Sequence, residues 1–132
     1  MIRRHLILAA LALAVAPARA QDQPALADLL GSRPLVVFAD TPDDARFVQQ
    51  MRWLDADPDE LADRRVVVLV DTAPAANGPL RQRLRPRGFG LVLIDVDGQV
   101  ARRQPLATTV RELTNLIDRT PSRRRETGSL RP

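Results

Sequence analysis

The chain contains no cysteine, no lysine and no tyrosine, and its only histidine is His5. Without cysteine there is no disulfide, no thiol catalysis and no thiolate metal site. Beyond His5 there is no imidazole to act as a base or metal ligand. Lacking Lys and Tyr, the chain has no Schiff-base amine and no phenolic acid. Its titratable side chains are therefore carboxylates and guanidiniums. Of the usual catalytic sets, only a pair of carboxylates survives. The sequence assigns no catalytic residue, no cofactor-binding residue and no metal ligand. Aromatic residues make up only 3% of the chain, with one Trp and three Phe.

The first twenty residues, MIRRHLILAALALAVAPARA, have the form of an export leader. Arg3, Arg4 and His5 form a basic front, residues 6–16 are apolar, and Ala18-Arg19-Ala20 is a small-residue cleavage site. The apolar run is shorter than the ~20 residues that span a bilayer. Cleavage after Ala20 and a periplasmic or secreted location are the expectation. The formal net charge of +4 would suggest a nucleic-acid partner, but three of the 20 Arg lie in the leader and all 16 acids lie beyond it. Residues 21–119 carry 13 Arg and 15 acids, whereas residues 120–132 carry four Arg and one acid. The basic character belongs to the C-terminal end, and no nucleic acid is expected as a partner.

The remaining length, about 112 residues, suits one domain with a real core. Residues 21–32 read as a polar entry segment with a short helical patch at 24–30. Residues 35–39 (LVVFA) form a continuous apolar run, as in a strand covered on both faces. Thr41-Pro42-Asp43-Asp44 predicts a helix start with Thr41 as N-cap, running to about Leu54. Phe47, Val48, Met51 and Leu54 should share its inner face. Asp57-Pro58 predicts a second short helix to Asp63, and residues 65–70 (RVVVLV) a second strand. A short helix at 80–85, a strand at 89–96, the turn Asp97-Gly98 and a strand at 99–103 follow. Thr109-x-x-Glu112 is a capping box for a last helix with Val110, Leu113, Leu116 and Ile117 inward. Pro121 should stop it and leave an Arg-rich, mobile tail at 121–132. The order β-α-β-α-β-β-α predicts an α/β fold, a thioredoxin-like mixed four-stranded sheet with flanking helices over residues 33–120.

Three stretches carry a family resemblance: SRPLVVFADTPDDARFVQQMRWL, FGLVLIDVDGQVARR and IDRTPSRRRE. Together they resemble the family catalogued as domain of unknown function 4174. Asp95-Val96-Asp97-Gly98 stands where that family usually has Gly-Lys-Asp-Gly. The closing stretch is similar to Ile-Asp-x-Met-Pro-Met-Arg-x-x-Glu. Ile117, Asp118, Pro121, Arg123 and Glu126 match it, and Thr120 and Ser122 replace the two Met. The resemblance implies a thioredoxin-like fold without the redox dithiol, in an exported protein, and supplies no reaction.

Two groups of residues stand out. Asp118, Pro121, Arg123 and Glu126 form a candidate structural clasp or partner-binding motif. Asp118 is unfavourable at a helix C-terminus unless a cation such as Arg123 pairs with it. Asp97 and Gly98 form a candidate turn. Arg81, Arg83, Arg85 and Arg87 would spread around a helix as a solvated face rather than converge as an anion patch. Asp40, Asp43 and Asp44 read as helix-capping acids rather than a cation site, because no EF-hand-like spacing is present. The expected function is an exported, redox-inactive binding or structural module whose partner is a protein or envelope polymer. The Arg-rich tail would add a weak contact with anionic surfaces. The alternative is a carboxylate-only hydrolase acting on a periplasmic glycan, with two carboxyls facing across a cleft.

Overall fold

The structure is a computed structural model that describes residues 23–128. The expected leader and its expected cleavage site lie outside the described residues, as do the last four residues of the expected tail. A 3₁₀ turn at Leu26–Leu29 precedes β1 (Arg33–Phe38), α1 (Ala45–Ala56), α2 (Pro58–Asp63) and β2 (Val66–Asp71). A 3₁₀ turn at Pro74–Ala76 leads to α3 (Pro79–Leu84), β3 (Gly90–Ile94), β4 (Val100–Gln104), α4 (Val110–Asp118) and α5 (Pro121–Glu126).

The sheet order is β2-β1-β3-β4. β1 and β2 run parallel, joined through the α1–α2 crossover, with Arg33 opposite Val66 and Phe38 opposite Asp71. β3 is antiparallel to β1, and β4 to β3. This is the expected mixed four-stranded sheet with flanking helices.

β1 is buried from end to end, which is why its sequence is continuously apolar after Arg33. Its side chains alternate between two cores. Leu35, Val37 and Ala39 pack with Leu54, Leu61, Leu113 and Ile117 under α1, α2 and α4. Val36 and Phe38 pack with Leu26, Leu80 and Leu84 under α3 and the first 3₁₀ turn. Each fully buried Leu, Val or Phe contributes roughly 1.5–3 kcal/mol, so this strand anchors the fold. Among the described residues, no helix is long and apolar enough to cross a membrane.

Several local expectations need correction. α1 is capped by Asp44, not Thr41. The Asp44 carboxylate accepts from the Arg46 amide at 2.9 Å, while Thr41 closes a turn to Asp44. A carboxylate next to the first apolar residues is the stronger cap, so the helix starts three residues later than predicted. Its inner face is Phe47, Gln50, Met51 and Leu54, and Val48 points outward. Gln50 can be buried because its amide is matched by a backbone pair: it donates to the Thr108 carbonyl at 2.8 Å and accepts from the Thr108 amide at 2.7 Å.

The capping box on α4 is present. Leu116 is only half-buried, and Thr114 takes its place on the inner face. Pro121 does not begin a tail. It is the first residue of α5, whose N-cap Thr120 accepts from the Arg123 amide.

Candidate functional site

The parallel and antiparallel pairings put two sets of chain ends at opposite poles of the sheet. At one pole lie the starts of β1 and β2 and the end of β3. At the other lie the end of β1, the start of β3 and the end of β4. The two poles carry different chemistry.

The first pole is closed by Arg33, which is only 1% exposed. All five of its N–H groups have acceptors. Nε donates to Asp95 at 3.2 Å, and Nη1 to the Arg64 carbonyl at 2.9 Å and Glu126 at 3.1 Å. Nη2 donates to Ser122 at 3.1 Å and to Glu126 at 2.9 Å. The Ser122 hydroxyl donates in turn to the Asp95 carboxylate at 2.8 Å. A guanidinium this buried is tolerable only when every donor is matched.

Around this centre the closing motif finds its places. Asp118 accepts a bidentate fork from Arg64, at 2.8 and 3.0 Å. Arg123 donates to Asp63 at 2.8 Å and to Glu126 at 3.2 Å. The anticipated Asp118–Arg123 partnership is a 3.7 Å ion pair without a hydrogen bond. Arg64 starts from the α2–β2 corner and reaches Asp118 first, so Arg123 turns to Asp63. The hydrogen bond from Arg64 holds the Asp118 carboxyl below its usual range and raises the Arg64 guanidinium. Burial pushes the Glu126 carboxyl up, but the hydrogen bonds from Arg33 and Arg123 outweigh it and leave it lowered. Pro121 sets the first turn of α5. This pole is a clasp in which Arg33 is fully matched, while the buried Arg123 Nε has Asp118 as an ion-pair neighbour at 3.7 Å and no hydrogen bond.

Asp97 and Gly98 form the β3–β4 connection. The Gly98 amide donates to the Asp95 carbonyl at 2.9 Å, and Asp97 accepts from the Gln99 amide at 2.9 Å. Gly98 alone takes a left-handed conformation, φ +84°, so the turn is a type I turn closed by a glycine.

At the second pole, Arg81 lies 8% exposed and pairs with Asp71, whose side chain is 1% exposed. Its Nε meets the carboxylate at 2.8 Å and Nη2 meets the carbonyls of Ala39 and Asp71. Arg81 thus leaves the arginine series and ties the ends of β1 and β2 to α3. The helix ends at Leu84, and Arg85 adopts φ +48°. The helical spacing assumed for the series therefore stops halfway along it. Arg83, Arg85 and Arg87, joined by Arg103 of β4, line one pocket of about 540 Å³ walled by Phe38, Leu84, Phe89 and Pro105. No carboxylate lines it. Asp40 and Asp43 are exposed in the neighbouring loop, and Asp44 is held at a pKa of about 2 by its hydrogen bond from Arg46. Among the described residues, no three acidic or imidazole groups converge as a metal site would require.

Sequence reasoning missed Arg33, Arg64, Asp95 and Ser122 in the clasp, and Asp71 with Arg81 at the opposite pole. The available signal was a charge at the end of an apolar strand, Arg33 before PLVVF and Asp71 after VVVLV. A charge placed there is buried and must find a partner.

The family described as "Domain of unknown function (DUF4174)" matches residues 30–126, from the approach to β1 to the last residue of α5. The chain belongs to the DUF4174 family. The match includes Glu126, so the clasp lies within the DUF4174 unit. No curated protein matches the chain significantly.

Solved structures similar to this DUF4174 domain have thioredoxin-like folds. The exposed lipoprotein thioredoxin Etrx1 of Streptococcus pneumoniae is 13% identical with a TM-score of 0.55, covering 72% of this chain and 90% of that one. Prx1a of Plasmodium yoelii is 18% identical with a TM-score of 0.57, covering 81% and 83%. The reduced 2-Cys peroxiredoxin of Plasmodium vivax is 17% identical with a TM-score of 0.54, covering 70% and 80%. At these identities the likeness shows the fold alone.

Proposed function

We propose that this DUF4174 protein is exported and works as a redox-inactive binding module, capturing a partner without transforming it. The observation that carries this reading is the chemistry of the second pole. The pocket there offers apolar walls and guanidiniums, with no thiol, imidazole, amine or carboxylate lining it. Guanidiniums do not exchange protons near neutral pH, so they bind and orient without acid–base catalysis. The leader-like start of the chain supports export to the periplasm or beyond, and the acidic balance of residues 21–119 speaks against nucleic acid.

The hydrolase reading has less support. A carboxylic acid that donates a proton near neutral pH must have a raised pKa. Asp44, Asp118 and Glu126 are instead all held more acidic than usual by arginines.

The test is to express the full chain in a bacterial host, fractionate the cells and determine the N-terminus by mass spectrometry. The purified protein is then assayed for insulin-disulfide reduction and glycan hydrolysis. The expected result is a periplasmic protein beginning at Gln21 with neither activity. An uncleaved cytoplasmic protein would overturn export. An activity that copurifies with the protein and disappears on one substitution in this chain would overturn capture without chemistry.

A further inference from the structure

We infer that the arginine-rimmed pocket at the second pole binds a small organic oxyanion, a carboxylate, sulfonate or phosphate ester carried on an aryl or acyl body. This rests on the reading of the domain as a binding module and names the ligand class of that module.

Three observations converge on it. First, four arginines gather at one rim with no carboxylate among the lining residues. Arg33, Arg46, Arg64, Arg81 and Arg123 each pair with a carboxylate. The pocket arginines do not. Arg83 and Arg103 donate only to main-chain carbonyls, of Gly98 at 3.3 Å and Leu84 at 2.8 Å. The side chains of Arg85 and Arg87 make neither hydrogen bond nor ion pair among the described residues. Four like charges at the rim of one concavity repel one another unless an anion sits between them.

Second, the walls are apolar and braced. Phe38 and Phe89 are buried, with Arg81 stacked over the first ring and Arg46 over the second, each 5.3 Å from the ring centroid. Both guanidiniums are already paired with carboxylates, so they brace the rings as packing partners and the anion's counter-charge comes from the rim. A bare inorganic anion would not use that surface, whereas an aryl or acyl group would.

Third, the size fits. A pocket of about 540 Å³ suits a small molecule. The left-handed turn at Arg85 brings alternate arginines to the same rim, where planar guanidinium forks match planar or tetrahedral oxyanions in a bidentate manner.

The test uses the intact protein and two fluorescent probes of nearly the same shape, anilinonaphthalenesulfonate and its neutral counterpart phenylnaphthylamine. Inorganic phosphate serves as a competitor that has the charge but no body. The sulfonate should bind saturably at one site, and the neutral probe on the order of tenfold more weakly. Phosphate should displace the sulfonate only at ionic strengths that also screen it. Combining Arg85→Gln with Arg87→Gln should weaken the sulfonate by on the order of tenfold with an unchanged urea midpoint, since neither side chain has a protein partner. Arg102→Gln, an exposed charge outside the pocket, should change binding by less than about twofold. Equal binding of the charged and neutral probes would overturn the proposal, as would a double variant that binds like the wild type. Specific displacement by dilute phosphate would show an anion site with no use for the walls, and would also overturn it. None of these failures touches the reading of the domain as non-catalytic, which stands or falls on the turnover assays above.

Discussion

Replacing Glu126 by Ala removes two acceptors from a guanidinium that is 1% exposed. Arg33 keeps the Arg64 carbonyl, Ser122 and Asp95, but one hydrogen on each terminal nitrogen loses its partner. Breaking a fully buried ion pair costs ~3–5 kcal/mol. The Glu126 side chain is 17% exposed, so water can reach the vacated space, and Asp95 remains as counterion. These two facts place the expected loss at about 2–3 kcal/mol, against a total stability on the order of 5–15 kcal/mol for a domain of this size. With a urea slope of ~1–2 kcal/mol/M, the midpoint should fall by roughly 1–3 M. Trp53 is the only tryptophan and sits half-buried on α1, so its fluorescence reports the transition. Far-UV circular dichroism on the same samples tests whether unfolding remains two-state. Glu126→Gln should fall between wild type and Ala, because the amide keeps one acceptor. Truncation after Thr120 should cost more than either, because Ser122 and Arg123 leave as well. If both Glu126→Ala and the truncation stay within about 0.5 kcal/mol of wild type, α5 does not close the sheet and the reasoning fails.

Other measurements bear on the same architecture. A double-mutant cycle between Arg64 and Asp118 should give a coupling of ~0.5–1 kcal/mol, the pair being partly exposed, while Arg123 and Asp118 should couple by less than about 0.3 kcal/mol. Asp71→Asn should cost ~3–5 kcal/mol in chemical denaturation, because it leaves Arg81 buried without a counter-charge. Gly98→Ala should cost about 1–2 kcal/mol and lower the melting temperature, since φ is +84° there and the new methyl would sit 3.0 Å from Leu30 Cδ2. The pKa values of Asp118 and Glu126 are lowered on folding, so the unfolded chain binds more protons at acid pH. Their contribution should be complete above the unfolded values, near 4, and should be lost as pH falls through the lower folded ones. Urea midpoints measured from pH 6 down to about pH 3 should therefore decline, and Glu126→Ala should decline less.

Much of the frame can be read directly from sequence because local chemistry and burial agree there. The apolar run of β1, the capping box at Thr109 and Glu112, and the glycine turn at Gly98 each carry a local signature that the tertiary fold does not override. The start of α1 differs from the expectation because Thr41 and Asp44 both have capping side chains, and the carboxylate beside the first helical residues is the stronger cap. The helix α5 is invisible because half of its six residues are Arg and it has no apolar stripe. It is held by ion pairs to residues roughly 60 and 90 positions earlier. The arginine pocket was hidden for a related reason. Periodicity assumes one regular element, and a left-handed residue at Arg85 ends that element in mid-series.

The clasp at Arg33 also sets an order of events in time. Arg33 is made early, but its acceptors in α5 lie 89 and 93 positions later. At ordinary synthesis rates of ~5–20 residues per second, roughly 5–20 s pass before those partners exist. During that interval the central strand carries, at its first position, a cation that cannot be buried without loss. The nascent chain is thus penalised for completing its sheet until Ser122 and Glu126 have been added. The helix α5 thus acts as a timer, and the central strand settles into its native state only once that helix has been made.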